Sequence, residues 1–342
     1  MSNEYSLLLD RLLDGASLSE GEAQAFMHEL AQGEMPAALA GAFLAGLRAK
    51  GETADEIRGF AQAMRELALR PAIPDGQPTV DTVGTGGDGS GSLNLSTGTG
   101  LLAAACGARV VKHGNRSISS KSGSADMLEC LGMPLPLEEK QAVECLEATG
   151  FTFLFAPAYH PAMKAVVPVR GALGVRTVFN MLGPLTNPAT PPFQLIGAWS
   201  ADAARLMADA LAGMAIERAF VVHGEPGWDE ATPAGEFLLF DVTPGNVSEL
   251  RRSPADYGLA KCAPEDLAGG DAAHNASELK RVFYREDHGP HRDALLMGAS
   301  LVLEVQGAVD DPVSGVHKAA AAIDDGSAAT FLEKLQEHFA AG

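Results

Sequence analysis

Hydrophobic residues recur at helical spacing through the first 70 residues of the chain. In AALAGAFLAGLRAK (37–50), Leu and Ala lie three and four positions apart, the pattern of a helix with one buried face. Capping boxes that begin at Ser19 and Thr53 predict two helix starts, and Pro36 suits the first turn of another helix. Residues 1–70 are therefore predicted to form a small all-α domain.

The pattern changes after the proline-rich segment RPAIPDGQP (70–78), which is typical of a linker. From Thr79 onward, short β-branched runs alternate with Ala-rich stretches, most of which are long enough for crossover helices. The predicted strands are TVDTVG, ARVVKH, FTFLF, FQLIGAW, RAFVVH and FLLFDV. This alternation predicts an α/β fold, with a large α/β domain of residues 79–342 around a central, largely parallel sheet.

One later segment, residues 160–189, has a helical pattern of its own. Pro168, Pro184 and Pro188 interrupt it, because proline removes a backbone hydrogen bond inside a helix. We expect part of this segment to pack back against the N-terminal bundle.

Charge and composition restrict the partners. Twenty-five Lys and Arg against 44 Asp and Glu give a net charge of -19, and the resulting field repels nucleic acids. An anionic substrate would therefore need a local basic site or a metal. No apolar run approaches the roughly 20 residues of a membrane span, and the N-terminus lacks the pattern of a signal peptide. The four cysteines have no C-x-x-C spacing and are expected to be reduced and buried, so we expect a cytoplasmic protein without a membrane partner.

The stretch VDTVGTGGDGSGSLNLSTGTG (80–100) matches the letters G-x-G-x-x-G from Gly84. A dinucleotide-binding turn requires a helix that starts within the motif and a following strand that ends in a carboxylate. Here a helix is predicted only from about Ser96, and the following strand ends in the cationic sequence KHGNR. A long glycine loop before a helix N-terminus instead exposes N–H groups that bind phosphate, the alternative being a mobile surface loop.

A second loop, KHGNRSISSKSGSAD (112–126), favours the phosphate interpretation. It places Lys, Arg and five serines around glycines just before a predicted helix. Two loops of this kind at strand ends suit a substrate with two phosphate groups.

A third element, HGEPGWDEATPAG (223–235), carries the adjacent carboxylates of Asp229 and Glu230. Such a pair is commonly a solvated turn. Beside a diphosphate site, however, these hard oxygen ligands suit Mg²⁺, which takes one or two carboxylates together with phosphate oxygens.

In order and spacing, five motifs resemble the anthranilate phosphoribosyltransferase family over nearly the whole chain: DTVGTGGDG with NLST, KHGNRSISSKSGSADMLECLG, FAPAYHPAM, VPVRGALGVRTVFNMLGPLTNPA and VVHGEPGWDE. The resemblance implies a homodimer with an active site between a small helical and a large α/β domain. It implies Mg²⁺ and two small-molecule substrates, anthranilate and 5-phosphoribosyl 1-diphosphate. The amine of anthranilate would displace diphosphate to give N-(5-phosphoribosyl)anthranilate, a step of tryptophan biosynthesis.

The resemblance also implies the roles of individual residues. Gly84, Asn115 and Arg170 would contact anthranilate, and Ser96, Asp229 and Glu230 would bind Mg²⁺. The residues implied for phosphoribosyl diphosphate are Gly84, Gly87, Asp88, Ser92, Asn94, Leu95, Ser96 and Thr97 in the first loop, and Lys112, His113, Gly114, Asn115, Arg116, Ser117, Ile118, Ser119, Ser120 and Ser124 in the second.

Displacement at the anomeric carbon leaves negative charge on the departing diphosphate, so stabilising that charge is the main task of such a site. An aryl amine has an available lone pair, and no strong general base is needed before attack. His113 is the nearest candidate for proton handling, with a role in shaping the loop as its alternative. Arg170 lies in an apolar helical stretch and needs an anionic partner, either the carboxylate of the substrate or a structural ion pair.

Two other functions remain as alternatives. A pyrimidine nucleoside phosphorylase would resemble this chain in architecture but would lack the acidic pair and the KHGNR loop. A non-catalytic, nucleic-acid-binding relative is disfavoured by the net charge of -19.

Overall fold

The computed structural model describes residues 2–74, 78–117 and 121–340. Its N-terminal part is the predicted bundle, formed by α1 (Ser2–Leu13), α2 (Glu20–Gln32), α3 (Ala37–Lys50) and α4 (Ala54–Leu67). Both predicted capping boxes are present, with Ser19 at the start of α2 and Thr53 at the start of α4. The rings of Phe26 and Phe43 pack 4.3 Å apart between helices α2 and α3.

The larger part of the chain is built on one seven-stranded sheet. Its strands are β1 (Thr79–Gly84), β2 (Arg109–Gly114), β3 (Phe151–Phe155), β4 (Phe193–Gly197), β5 (Arg218–Gly224), β6 (Phe237–Thr243) and β7 (Asn246–Arg252). They lie in the order β3-β2-β1-β4-β5-β6-β7. The first five are parallel to one another, β6 is antiparallel to β5, and β7 is antiparallel to β6. The predicted α/β fold with a largely parallel sheet is confirmed.

Strand β7 was not predicted from the sequence. It is the edge strand of a hairpin with β6, and most of its residues are exposed, so it lacks the apolar alternation that marks the other strands. The turn Pro244-Gly245 joins Thr243 to its partner Asn246 and is the sequence signal that could have indicated the hairpin.

Helices cover both faces of the sheet. They are α5 (Leu95–Ala105), α6 (Ser124–Cys130), α7 (Glu139–Thr149), α8 (Ala156–Tyr159), α9 (Val167–Leu173), α10 (Phe179–Leu185), α11 (Ala201–Leu211), α12 (Ala272–Phe283), α13 (Pro290–Val305), α14 (Pro312–Asp324) and α15 (Ser327–Ala340). Short 3₁₀ turns lie at Pro161–Ala165, Pro254–Tyr257 and Pro264–Leu267. Helix α5 begins one residue before the position predicted from the sequence.

The segment of residues 160–189 is broken into short pieces, α9 and α10 among them, as the prolines predict. Val166, Phe179 and Leu182 share one hydrophobic core with the bundle. That core continues through α11 to one face of β4 and β5, so the bundle is packed against the sheet as well as against itself.

All four cysteines are free thiols. Only Cys145 is buried as expected: Cys106 and Cys262 are partly buried, and the expectation is wrong for Cys130, which is exposed at the end of α6. None of the helices in the described ranges is long and apolar enough to span a membrane.

Candidate active site

Most of the predicted site residues lie at or just after the carboxyl ends of the parallel strands. Strand β1 has β2 on one side and β4 on the other, and a crevice forms outside an open sheet where the strand order reverses in this way. The loop after β1 contains Gly87, Asp88 and Ser92, and α5 begins with Leu95, Ser96 and Thr97. Strand β2 ends with Lys112, His113 and Gly114, which are followed by Asn115, Arg116 and Ser117. Helix α6 begins at Ser124. Ile118, Ser119 and Ser120 lie outside the described residues.

Three glycines at strand ends make room for the acidic pair. A Cβ atom on Gly84, at the end of β1, would lie 2.4 Å from Oδ2 of Asp229. On Gly197 and Gly224, at the ends of β4 and β5, it would lie 1.5 Å and 2.1 Å from the carbonyl oxygens of Asp229 and Glu230. Only a residue without a side chain allows this approach, so these strand ends fix the position of the pair.

Backbone N–H groups hold the two carboxylates in place. Gly86 N donates to Oδ2 of Asp229 at 2.6 Å, and Ser96 N, in the first turn of α5, donates to Oε1 of Glu230 at 3.1 Å. The backbone N of Asp229 donates in turn to Oδ2 of Asp88 at 3.2 Å. Three carboxylates, one from the glycine loop and two from the loop after β5, therefore lie close together.

The electrostatics of this cluster suit a bound cation. Burial raises the pKa of Asp229, and the nearby Asp88 raises it further. Burial, and then the charge of Asp229, raise the pKa of Glu230. Within the described ranges no group of three His, Cys, Asp or Glu side chains is arranged to hold a metal alone. The carboxylates of Asp229 and Glu230 and the hydroxyl of Ser96 fit Mg²⁺ when a substrate supplies the remaining ligands, because Mg²⁺ commonly uses few protein ligands plus phosphate oxygens.

Lys112 is only 1% exposed and lies close enough to the acidic pair to interact with it electrostatically. Its ammonium donates to the carbonyl oxygen of Thr82, and to Oγ of Ser96 at 3.4 Å. Burial lowers the pKa of Lys112, and the carboxylates of Asp81 and Glu230 act against that shift. Lys112 is therefore buried within electrostatic range of the acidic pair, and its contact with a phosphate stays a prediction.

The two predicted phosphate loops meet at Asn94. Its Oδ1 accepts hydrogen bonds from Oγ of Ser122 and from Nδ2 of Asn275, each at 2.8 Å, and its Nδ2 donates to the Ser122 carbonyl at 3.2 Å. The amide of Asn94 therefore joins the loops to each other and to helix α12.

Other residues of the loops have partners within the protein. Arg116 forms a bidentate pair with Glu129 at 2.6 and 2.7 Å and reaches Asp126 at 2.9 Å, so its guanidinium is already engaged by two carboxylates. Leu95 and Thr97 are 3% and 1% exposed, so their side chains are packed inside the protein.

His113 is buried beside His160, their rings 5.1 Å apart. Burial, together with His160, lowers the pKa of His113 to about 3. The imidazole is therefore neutral near pH 7 and a weak base, which favours the loop-shaping role over proton handling.

Arg170, on α9, is half-buried with its guanidinium over the ring of Phe179, 5.1 Å from the centroid. Burial alone lowers the pKa of Arg170, and no acidic side chain in the described part of the chain pairs with it. The structural ion pair considered from the sequence is absent from that part, so the guanidinium is available to an anionic ligand.

Arg176 was missed by the sequence analysis. It donates to the carbonyl oxygen of Gly87 in the glycine loop and packs over the Trp199 ring, 4.9 Å from its centroid. The signal that singled out Arg170, a cation in a stretch with few other charges, applies equally to Arg176.

The Gly84→Ala variant tests the packing of the acidic pair. A Cβ 2.4 Å from the Asp229 carboxylate must displace it. Because a shift of about 1 Å in a catalytic group can cost up to about 10²-fold, we expect kcat/KM to fall about tenfold at fixed Mg²⁺. Gly21→Ala is the matched control, since a Cβ there meets nothing within 4 Å. Equal activity of both variants in a steady-state assay would contradict this role of Gly84.

Comparison with known proteins agrees with this fold. Residues 6–68 match the family model described as glycosyl transferase family, helical bundle domain, and residues 76–329 match the glycosyl transferase family, a/b domain. The anthranilate phosphoribosyltransferase of Solibacter usitatus is 47% identical over 331 residues, 96% of this chain and 97% of the relative. That of Rubrobacter xylanophilus is 44% identical over 94% of this chain and 93% of the relative.

Solved structures give the same result. The anthranilate phosphoribosyltransferase of Thermus thermophilus superposes with a TM-score of 0.91 at 40% identity, covering 97% of this chain and 99% of that one. The Saccharomyces cerevisiae enzyme, solved in complex with PRPP and Mg, superposes with a TM-score of 0.88 at 25% identity, covering 100% and 99%.

Fold and site together define a glycosyltransferase that combines a helical bundle domain with an α/β domain. Among such enzymes, the chain belongs to the anthranilate phosphoribosyltransferase family.

Proposed function

We propose that this chain transfers the 5-phosphoribosyl group from 5-phosphoribosyl 1-diphosphate to the amine of anthranilate, in tryptophan biosynthesis in the cytoplasm. The bond from C1 of the ribose to the diphosphate oxygen breaks, the bond from C1 to the amine nitrogen forms, and the amine loses a proton. The observation that carries the proposal is the buried Asp229–Glu230 pair, held beside two glycine- and serine-rich loops that meet at Asn94. Relatives that cover nearly the whole chain carry the name of this activity.

The metal of this proposal is Mg²⁺, bound by Asp229, Glu230 and the hydroxyl of Ser96. When bound, it neutralises charge on the departing diphosphate. The N–H groups of the glycine loop and of the first turn of α5 supply further donors to the same anion. A neighbour from S. cerevisiae solved with PRPP and Mg supports this choice of metal.

Anthranilate is proposed to contact Gly84, Asn115 and Arg170. The planar guanidinium of Arg170 suits a carboxylate, which it can bind in bidentate fashion. A neutral, weakly basic His113 fits a reaction that needs no strong base before attack. The S. cerevisiae enzyme in complex with 4-fluoroanthranilate supports an aryl amine as the second substrate.

We infer that each chain divides into a helical domain, residues 1–70 with part of 160–189 packed on them, and an α/β domain, residues 79–342.

We also infer that two copies of the chain form a homodimer. Leu7 and Leu13 on α1 are 61% and 64% exposed, and burial in a second copy would remove this apolar surface from water. Light scattering should then report a particle of two 35.5-kDa chains.

A substrate panel tests the function against its rivals. We expect anthranilate fluorescence to fall in the presence of phosphoribosyl diphosphate and Mg²⁺. Phosphate-dependent cleavage of thymidine, without transfer to anthranilate, would instead identify a pyrimidine nucleoside phosphorylase. Salt-sensitive retention on single-stranded DNA, without transfer, would identify a nucleic-acid-binding protein.

A further inference from the structure

Arg176 connects three parts of the molecule that are distant in sequence. Its guanidinium donates to the carbonyl oxygen of Gly87 in the glycine loop and packs on Trp199, just after β4. Its own carbonyl oxygen accepts a hydrogen bond from Nη1 of Arg48, in α3 of the bundle, at 2.6 Å. The glycine loop is thereby tied to the bundle through one residue.

Trp199 is itself linked to the acidic pair. The backbone N of Trp199 donates to Oγ1 of Thr85 at 3.2 Å. That hydroxyl donates to Oδ2 of Asp229 at 3.4 Å. A displacement of Trp199 would therefore move the glycine loop through Arg176, and it would move Asp229, the inferred metal ligand, through Thr85.

The bond to Gly87 also fixes the orientation of a peptide group. Gly86 and Gly87 both have left-handed backbones, with φ of +68° and +71°, and without a Cβ each could adopt other backbone conformations at little cost. In a planar trans peptide the C=O and N–H point in opposite directions. Holding the Gly87 carbonyl on Arg176 therefore directs the N–H of Asp88 away from Arg176.

The hydrogen bond and the ring contact of Arg176 are made without a carboxylate, because no acidic side chain in the described ranges pairs with this guanidinium. Its charge is thus left unneutralised by the protein at the edge of the loop. A purely structural arginine on the surface of this chain looks different: Arg205, for example, pairs with Asp209 at 2.9 Å on its own helix.

We propose that Arg176 is a positioning residue for the glycine loop, holding it in the conformation that binds the diphosphate of phosphoribosyl diphosphate and making that conformation depend on the docked bundle. This inference rests on the proposed function for the identity of the ligand. Arg176 acts through Gly87, whereas Arg170 acts on anthranilate.

The test compares Arg176→Ala, Arg176→Gln and Arg176→Lys with the control Arg205→Ala. Calorimetry gives the affinity for phosphoribosyl diphosphate with Mg²⁺, and steady-state kinetics give kcat and both KM values. Because a hydrogen bond from a charged group contributes on the order of a tenfold change in affinity or more, Arg176→Ala should weaken phosphoribosyl diphosphate binding about tenfold. The KM for anthranilate, measured at saturating phosphoribosyl diphosphate, should stay within about twofold because Arg170 is untouched. Arg205→Ala should match the wild type.

The conservative variants separate positioning from direct binding. Gln keeps an N–H donor for the Gly87 carbonyl without the charge, and both Gln and Lys should recover part of the lost affinity. Recovery by Lys alone would mean that the charge acts directly on the diphosphate, and it would overturn the positioning role. Wild-type affinity in Arg176→Ala would overturn it too. So would a lower melting temperature together with a rise of both KM values in all three variants. If the wild type binds phosphoribosyl diphosphate but transfers nothing to anthranilate, the proposed function fails while the calorimetric test of Arg176 still stands.

Discussion

Replacing Asp229 and Glu230 together by Ala is expected to lower kcat by about 10³-fold or more, since losing a single preorganised contact to developing charge already costs about 10²- to 10³-fold. Without the pair, the inferred Mg²⁺ loses both of its proposed carboxylate ligands, and the charge of the departing diphosphate is less well neutralised. The fold should survive, because removing two buried carboxylates also removes the cost of burying them. Lys112 retains Asp81 as its counter-charge.

Activity should be measured at saturating substrates and Mg²⁺, alongside thermal unfolding by circular dichroism. Glu225→Ala is the matched control, an acidic residue of the same loop whose side chain is 56% exposed. Chelating divalent cations should abolish wild-type turnover. A double variant with full kcat, or full wild-type activity in excess chelator, would remove the metal from the mechanism.

Arg170→Ala is expected to raise the KM for anthranilate by about 10- to 100-fold, because a hydrogen bond to a charged group contributes about 1.5 to 3 kcal/mol. The KM for phosphoribosyl diphosphate should stay nearly unchanged, and kcat should fall only if the same contact orients the amine. Arg170→Lys should restore part of the loss, since a point charge does not reproduce the planar fork.

Two controls accompany that measurement. Lys164→Ala removes an exposed cation of the same segment and should behave as wild type. Aniline, which lacks the carboxylate, should be a very poor substrate that gains nothing from Arg170. If Arg170→Ala instead lost stability with an unchanged KM for anthranilate, the packing on Phe179 would be the role of this residue and the carboxylate would need another partner.

The sequence was sufficient for most of the fold because each buried element carries a local signal. Strands β1 to β6 have runs of β-branched and aromatic residues, and the helices α2 and α4 carry capping boxes. Strand β7 lacks such a signal because its faces are exposed, and only its turn marks it. The glycine- and serine-rich loops were predictable for the same reason, because their signal is a run of neighbouring residues in the sequence.

The arrangement of charges around the site was not predictable, because it depends on partners far away in sequence. Lys112, on β2, donates to the Thr82 carbonyl of β1 because these two strands lie side by side in the sheet. Arg176 meets Gly87 across 89 positions of sequence. The steric need for glycine at residue 197 appears only once the strand register brings the Asp229 carbonyl against it.

The most direct test of the proposed transfer follows both products of one reaction. Purified protein is mixed with anthranilate, phosphoribosyl diphosphate and Mg²⁺, and the loss of anthranilate fluorescence is recorded together with the release of diphosphate. The proposed function predicts equal rates, one diphosphate for each anthranilate consumed, and neither change when any one component is left out. Diphosphate release without loss of anthranilate, or no reaction of either substrate, would contradict it.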